Sequence, residues 1–156
     1  MEKQVYQLKQ VRDVLTFGSH LHTEMKRMAE KMESEEHSAR LKLLLEYLQR
    51  HEKEMAASLI RFEENTQPHI LDLWLPYPPD SRIETKLQSL KIHPDMSLEE
   101  IVKVVMEFED ALIELYQESL NEIDDPPVQE ILNNLLQLED AEKHRFAMNV
   151  ARFQEM

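Results

Sequence analysis

The chain contains no cysteine and a single glycine, Gly18. Without thiols there can be no disulfide framework, thiolate metal site or cysteine nucleophile. A lone glycine also excludes the Gly-rich loops that cradle phosphates. Long apolar runs are missing as well. No stretch approaches the ~18 apolar residues of a membrane span, and the amino-terminal MEKQVYQLKQ has no apolar signal core. These absences lead to the expectation of a soluble, cytoplasmic protein with no membrane partner. Basic residues are few: 18 Lys and Arg against 31 Asp and Glu give a formal net charge of −13. Such a surface repels phosphate backbones, so nucleic acid is not an expected partner.

What remains is rich in Leu, Glu and Gln with nine methionines, a composition that favours long helices. The length of 156 residues suits one domain, 1–156, with a substantial core. Four segments carry helical apolar periodicity, over about 2–33, 35–64, 97–123 and 126–154. Ser34, followed by two glutamates, reads as the N-cap of the second; Ser97 with Glu100 forms a capping box for the third; Asp125 and Pro126 open the fourth. The first two helices are joined tightly, as are the last two, so each pair forms an antiparallel hairpin. Between the hairpins, residues 65–96 can run the ~42 Å length of a 28-residue helix. The predicted architecture is all-α, a four-helix bundle with one long crossover between helices two and three. Ile83, Leu87 and Leu90 suggest a short amphipathic helix in the crossover. Trp74, with Ile70, Leu71, Leu73 and Leu75, argues that this link packs rather than remaining disordered.

The two hairpins repeat one another. A shift of 87 residues carries Val14 onto Ile101, Leu21 onto Phe108, Leu44 onto Ile131, Leu48 onto Leu135 and Leu59 onto Phe146 without a gap. The pattern reads as an internal duplication. Polar residues that interrupt the stripes obey the same shift: His22 falls on Glu109, Glu52 on Glu139 and Met55 on Glu142. His22, Glu52, Glu139 and Glu142 lie within the apolar faces at mid-helix, and Glu109 lies at the margin of its face. Removing a carboxylate from water costs several kcal/mol, and several together must share protons or a cation. Carboxylate oxygen with imidazole nitrogen suits iron, manganese or zinc. The alternative is a core network of protonated carboxyls bonded to one another and to His22, or water reaching a looser bundle.

The pattern resembles the ferritin-like superfamily, most nearly the rubrerythrin-related di-iron carboxylate proteins. It covers nearly the whole chain, including the crossover and the SLEEIVKVVMEFEDALIELYQES helix. The family takes one Glu from the first helix of each hairpin and a Glu-x-x-His from the second. Carried over, the resemblance implies a metal centre at His22, Glu52, Met55, Glu109, Glu139 and Glu142. Three positions depart from the pattern: His22 replaces a Glu, and Met55 and Glu142 replace histidines. The expected ligands are therefore His22, Glu52, Glu109, Glu139 and Glu142, with iron, manganese or zinc as the only cofactor. The resemblance implies redox chemistry, peroxide or oxygen handling, or iron sequestration. The altered ligand set leaves a second reading, a bundle that has lost the chemistry and serves as a structural or interaction module. A homodimer is the expected assembly, through apolar surface near Trp74. With no CxxC pairs, electrons would come from a separate donor. His51 flanks the second stripe as an outer partner for Glu52 or its neighbours. Tyr116 falls at the family's frequent tyrosine, where it packs or, near an oxidising centre, donates electrons. His144 faces away from Glu139.

Overall fold

The computed structural model describes residues 8–35 and 37–155. Its elements in order are α1 (Val11–Glu33), α2 (Ala39–Asn65), α3 (Pro68–Leu71), α4 (Ser81–Ser89), α5 (Leu98–Asn121) and α6 (Pro126–Glu155). The long helices α1, α2, α5 and α6 form the bundle. Helix α1 packs along α2, α5 packs along α6, and α4 lies against α5. The start of α5 lies 87 residues after that of α1, and the start of α6 lies 87 after that of α2. The hairpins thus repeat in helix placement as well as in stripe register. Among the described residues no helix is long and apolar enough to cross a membrane.

Local chemistry sets the helix ends. The first helix begins at Val11 rather than near Glu2. Gln10 and Asp13 form a reciprocal cap there, and residues 8–10 are extended instead of helical; residues 1–7 lie outside the described chain. The second helix is capped by Ser38, whose side chain accepts from the Leu41 amide, while Ser34 ends α1. At α5, Ser97 and Glu100 make both bonds of a capping box. At α6 the Val128 amide reaches Asp125 Oδ1 at 3.3 Å, and Pro126 takes the first position, where no N–H is needed.

The crossover is anchored by backbone. The Leu75 amide donates to the Lys9 carbonyl at 2.7 Å and the Val11 amide to the Leu73 carbonyl at 3.1 Å, forming an isolated bridge between Gln10 and Trp74. Side chains alternate along an extended segment, so Leu75 is buried, Leu73 packs against the core, and Trp74 points out at 66% exposure. The link does pack, but Trp74 is not the residue that packs it. The short helix α4 buries Ile83 and Leu87.

Gly18 lies in α1 facing Tyr116 of α5 and Leu59 of α2. A β-carbon there would collide with the Tyr116 hydroxyl and lie 3.1 Å from Leu59 Cδ1. Tyr116 is fully buried and cannot swing aside. Gly18→Ala should therefore lower stability by ~1–2 kcal/mol, since overpacking outweighs the helix-propensity gain. The ring carbon Cζ is 3.5 Å from that β-carbon, so Tyr116→Phe in the same chain should restore most of the loss. A denaturant double-mutant cycle measures this coupling. Additive losses would show that the hydroxyl is not the obstacle.

Candidate metal centre

Each long helix brings polar side chains to one level of the bundle: His22 from α1, His51 and Glu52 from α2, Glu109 from α5, Glu139 and Glu142 from α6. His22, Glu52, Glu109 and Glu139 have no solvent exposure, and His51 has almost none. The burial of Glu109 corrects its expected marginal position. In a bundle each helix is covered by two neighbours, so the buried arc is wider than one stripe. Glu109 shares that arc with Val105, Leu112 and Tyr116.

His22 sits between two carboxylates. Its Nδ1 bonds Glu52 Oε2, and its Nε2 lies 2.8 Å from Glu139 Oε1. One donor atom each from His22, Glu52 and Glu109 fall within 4.8 Å of one another. Glu109 also bonds Glu139. His51 forms a second junction: its Nε2 is 3.4 Å from Glu109 Oε1, and its Nδ1 is 3.4 Å from Glu142 Oε2. Glu142 stands apart from the others. Its side chain is 12% exposed and its Oε1 accepts from Arg145 Nη1 at 2.7 Å. Met55 is buried, its position filled by an apolar thioether. His144 is exposed and bonds its own helix at the Asp140 carbonyl.

Five buried side-chain polar atoms among the described residues lack a partner. Three are Glu52 Oε1, Glu109 Oε2 and Glu139 Oε2; the others are the hydroxyl of Tyr116 and an oxygen of Glu122. Every fully buried carboxylate at the centre therefore keeps one bare oxygen. Such atoms are rare in folded proteins because each costs ~1–3 kcal/mol. These three carboxylates also outnumber the two imidazoles beside them, His22 and His51.

The electrostatics follow from burial and charge together. Burial alone would depress His22, but the attraction of Glu139 and Glu52 outweighs it and holds the imidazole well above its ordinary range. His51 is raised on the same balance, burial opposing and Glu109, Glu52 and Glu142 prevailing. Burial raises Glu52, partly offset by His22. Burial and the charge of Glu139 push Glu109 up to about 7.

His51, expected as an outer partner for Glu52 or its neighbours, lies against Glu109 and Glu142 at the centre. The spacing of Leu44, Leu48, His51 and Met55 is itself helical, which puts His51 inside the stripe. That signal was available.

An all-α bundle with carboxylates and imidazoles turned inward defines a class of architecture, and comparison identifies its fold. No family model and no curated protein matches the chain. A solved structure from Thermotoga maritima, described as a candidate ferritin-like diiron-carboxylate protein, matches with a TM-score of 0.58 and 18% identity. The match covers 94% of this chain and 96% of that one. The chain shares the ferritin-like all-α fold.

Raised affinities for protons at Glu52, Glu109, His22 and His51 mean that the folded state binds more protons than the unfolded state. Stability must then fall as pH rises. The window opens at ordinary carboxylate values, passes about 7 for Glu109 and continues through the histidines. In chelator-treated protein the denaturation midpoint should be lower at pH 8 than at pH 6. Glu109→Gln should remove about 1 kcal/mol of that loss. An unchanged pH profile in this variant would show that Glu109 does not carry it.

Proposed function

We propose that the protein binds a metal ion at the level of His22, Glu52, Glu109 and Glu139, with Glu142 at the edge of the centre. The observation that carries this reading is the set of three bare carboxylate oxygens, from three helices, at zero exposure around one imidazole. A divalent cation would supply the missing partner for each oxygen and offset the excess of carboxylates over imidazoles. Oxygen donors with imidazole fit iron, manganese or zinc. The likeness to a candidate diiron-carboxylate protein supports the same donor class.

A redox-active ion held there would supply electron exchange with oxygen or peroxide, and a stored one would be iron in sequestration. The chain's own residues do the rest. Glu52, Glu109 and Glu139 bind, and His22 orients Glu52 and Glu139 through its two nitrogens. The apolar stripes on either side exclude water. Glu109, poised near neutrality, exchanges a proton for the ion.

One observation favours a second reading. His22 already bonds both Glu52 and Glu139, so an imidazolium with a proton on Glu109 could settle the charge without metal. The bundle would then be a structural or interaction module.

Titration of chelator-stripped protein with Fe(II), Mn(II) and Zn(II) separates the two. The metal reading expects at least one equivalent bound, with protons released. It also expects a gain of ~2.7 kcal/mol in stability at a hundredfold excess over Kd. Glu52→Gln and Glu139→Gln should each abolish the gain while leaving the metal-free protein folded. Absence of binding by all three ions would leave the imidazolium network as the answer.

A further inference from the structure

We propose that His51 is itself a donor to the ion, through Nε2, and that Glu142 stands behind it as the carboxylate that fixes the ring. The inference rests on the metal-binding reading above and changes the expected roles, in which Glu142 was one of the ligands and His51 an outer partner for Glu52 or its neighbours.

Four observations carry it. His51 is almost wholly buried, and its ring packs at one corner of an aromatic triangle in which Tyr47 and Phe146 also touch each other, 5.9 Å between centroids. Tyr47 lies at 5.9 Å between centroids with planes 26° apart, and Phe146 at 5.8 Å and 38°. Tyr47 is in turn held by Asn149, whose amide donates to its hydroxyl at 3.0 Å. The imidazole therefore has little freedom to turn.

The second observation is the 3.4 Å separation of His51 Nε2 from Glu109 Oε1. It is longer than the usual range for an N–H···O bond. Two donors each ~2.1 Å from one tetrahedral ion lie ~3.4 Å apart. The third is what the other nitrogen meets. His51 Nδ1 faces Glu142 Oε2, and Glu142 is anchored by Arg145. A metal-binding histidine characteristically gives its remaining N–H to a carboxylate, which sets the tautomer and strengthens the donor nitrogen.

The fourth decides between the two nitrogens, since both face a carboxylate at the same distance. On the Nε2 side, Glu109 has a bare, fully buried second oxygen and bonds Glu139. On the Nδ1 side, the second oxygen of Glu142 is taken by Arg145 and the side chain touches solvent. Unsatisfied donor atoms lie only on the Nε2 side. His51 would thus supply an imidazole that neither Met55 nor Glu142 can provide.

The test uses the full chain, stripped with chelator and loaded with Zn(II). Affinity is read by calorimetry and imidazole scattering by zinc X-ray absorption. Wild type should bind with imidazole scattering. His51→Gln, checked for a cooperative metal-free melt, should lose more than ~100-fold in affinity together with that scattering. Glu142→Gln should lose ~10–100-fold with the scattering retained. If wild type takes up zinc and His51→Gln matches it in affinity and scattering, the assignment of His51 is overturned while the metal reading stands. If wild type binds none of Zn(II), Fe(II) and Mn(II), both are overturned. Should His51→Gln not fold, Glu142→Gln decides: affinity equal to wild type overturns the relay.

Discussion

Uncompensated negative charge in a dry interior is the constraint on which the rest of this structure turns. Glu52, Glu109 and Glu139 have no exposure, and the stripes beside them are Leu, Val, Phe and Met, which give water no path. Each buried carboxylate costs several kcal/mol in lost hydration, an amount comparable to the whole net stability of a small domain. The charge must be settled within the bundle by protons, imidazolium or a cation. All three devices find their parts here. His22 meets two carboxylates, Glu109 holds a proton up to about neutrality, and three bare oxygens remain.

The duplicated plan distributes this charge unevenly. The first hairpin contributes both imidazoles and one carboxylate; the second contributes Glu109, Glu139 and Glu142. His22 of α1 reaches Glu139 of α6, and His51 of α2 reaches Glu109 of α5 and Glu142 of α6. The hairpins are therefore electrostatically complementary across their interface. A Glu at position 22, matching Glu109 in the repeat, would have replaced those attractions with repulsion from Glu52 and Glu139. The substitutions that depart from a symmetric ligand set thus have a packing consequence, because they help to join the two halves.

Much of the fold could be read from residues because the signals were local or periodic. The Ser97–Glu100 box, the Pro126 start and the 87-residue register depend on neighbours in sequence or on repeated spacing. The start of α1 was missed because the bonds that hold residues 8–10 extended come from the crossover, more than sixty positions away. Trp74 was misjudged for a related reason. Its apolarity suggested burial, while the strand-like alternation that turns it outward exists only once Gln10 pairs with it. At the centre, His22, Glu52 and Glu139 stood out as polar breaks in apolar stripes. Glu109 did not, since its burial depends on two flanking helices at once, a property no single helical wheel displays; His51 was legible from its helical spacing with Leu44, Leu48 and Met55.

The same field governs Tyr116. Its hydroxyl is fully buried against Gly18 and has no hydrogen-bond partner among the described residues. Burial, with the charges of Glu139 and Glu109 added, holds its proton well above the ordinary phenol range. Electron loss from a tyrosine is easy only when its proton can pass to a bonded acceptor, because the neutral phenol is a poor donor. No acceptor bonds this one. The geometry therefore supports packing for Tyr116 rather than electron donation. A single α1 glycine accommodates a ring that the helix would otherwise exclude, and the unsatisfied hydroxyl is the cost of filling that space with an aromatic.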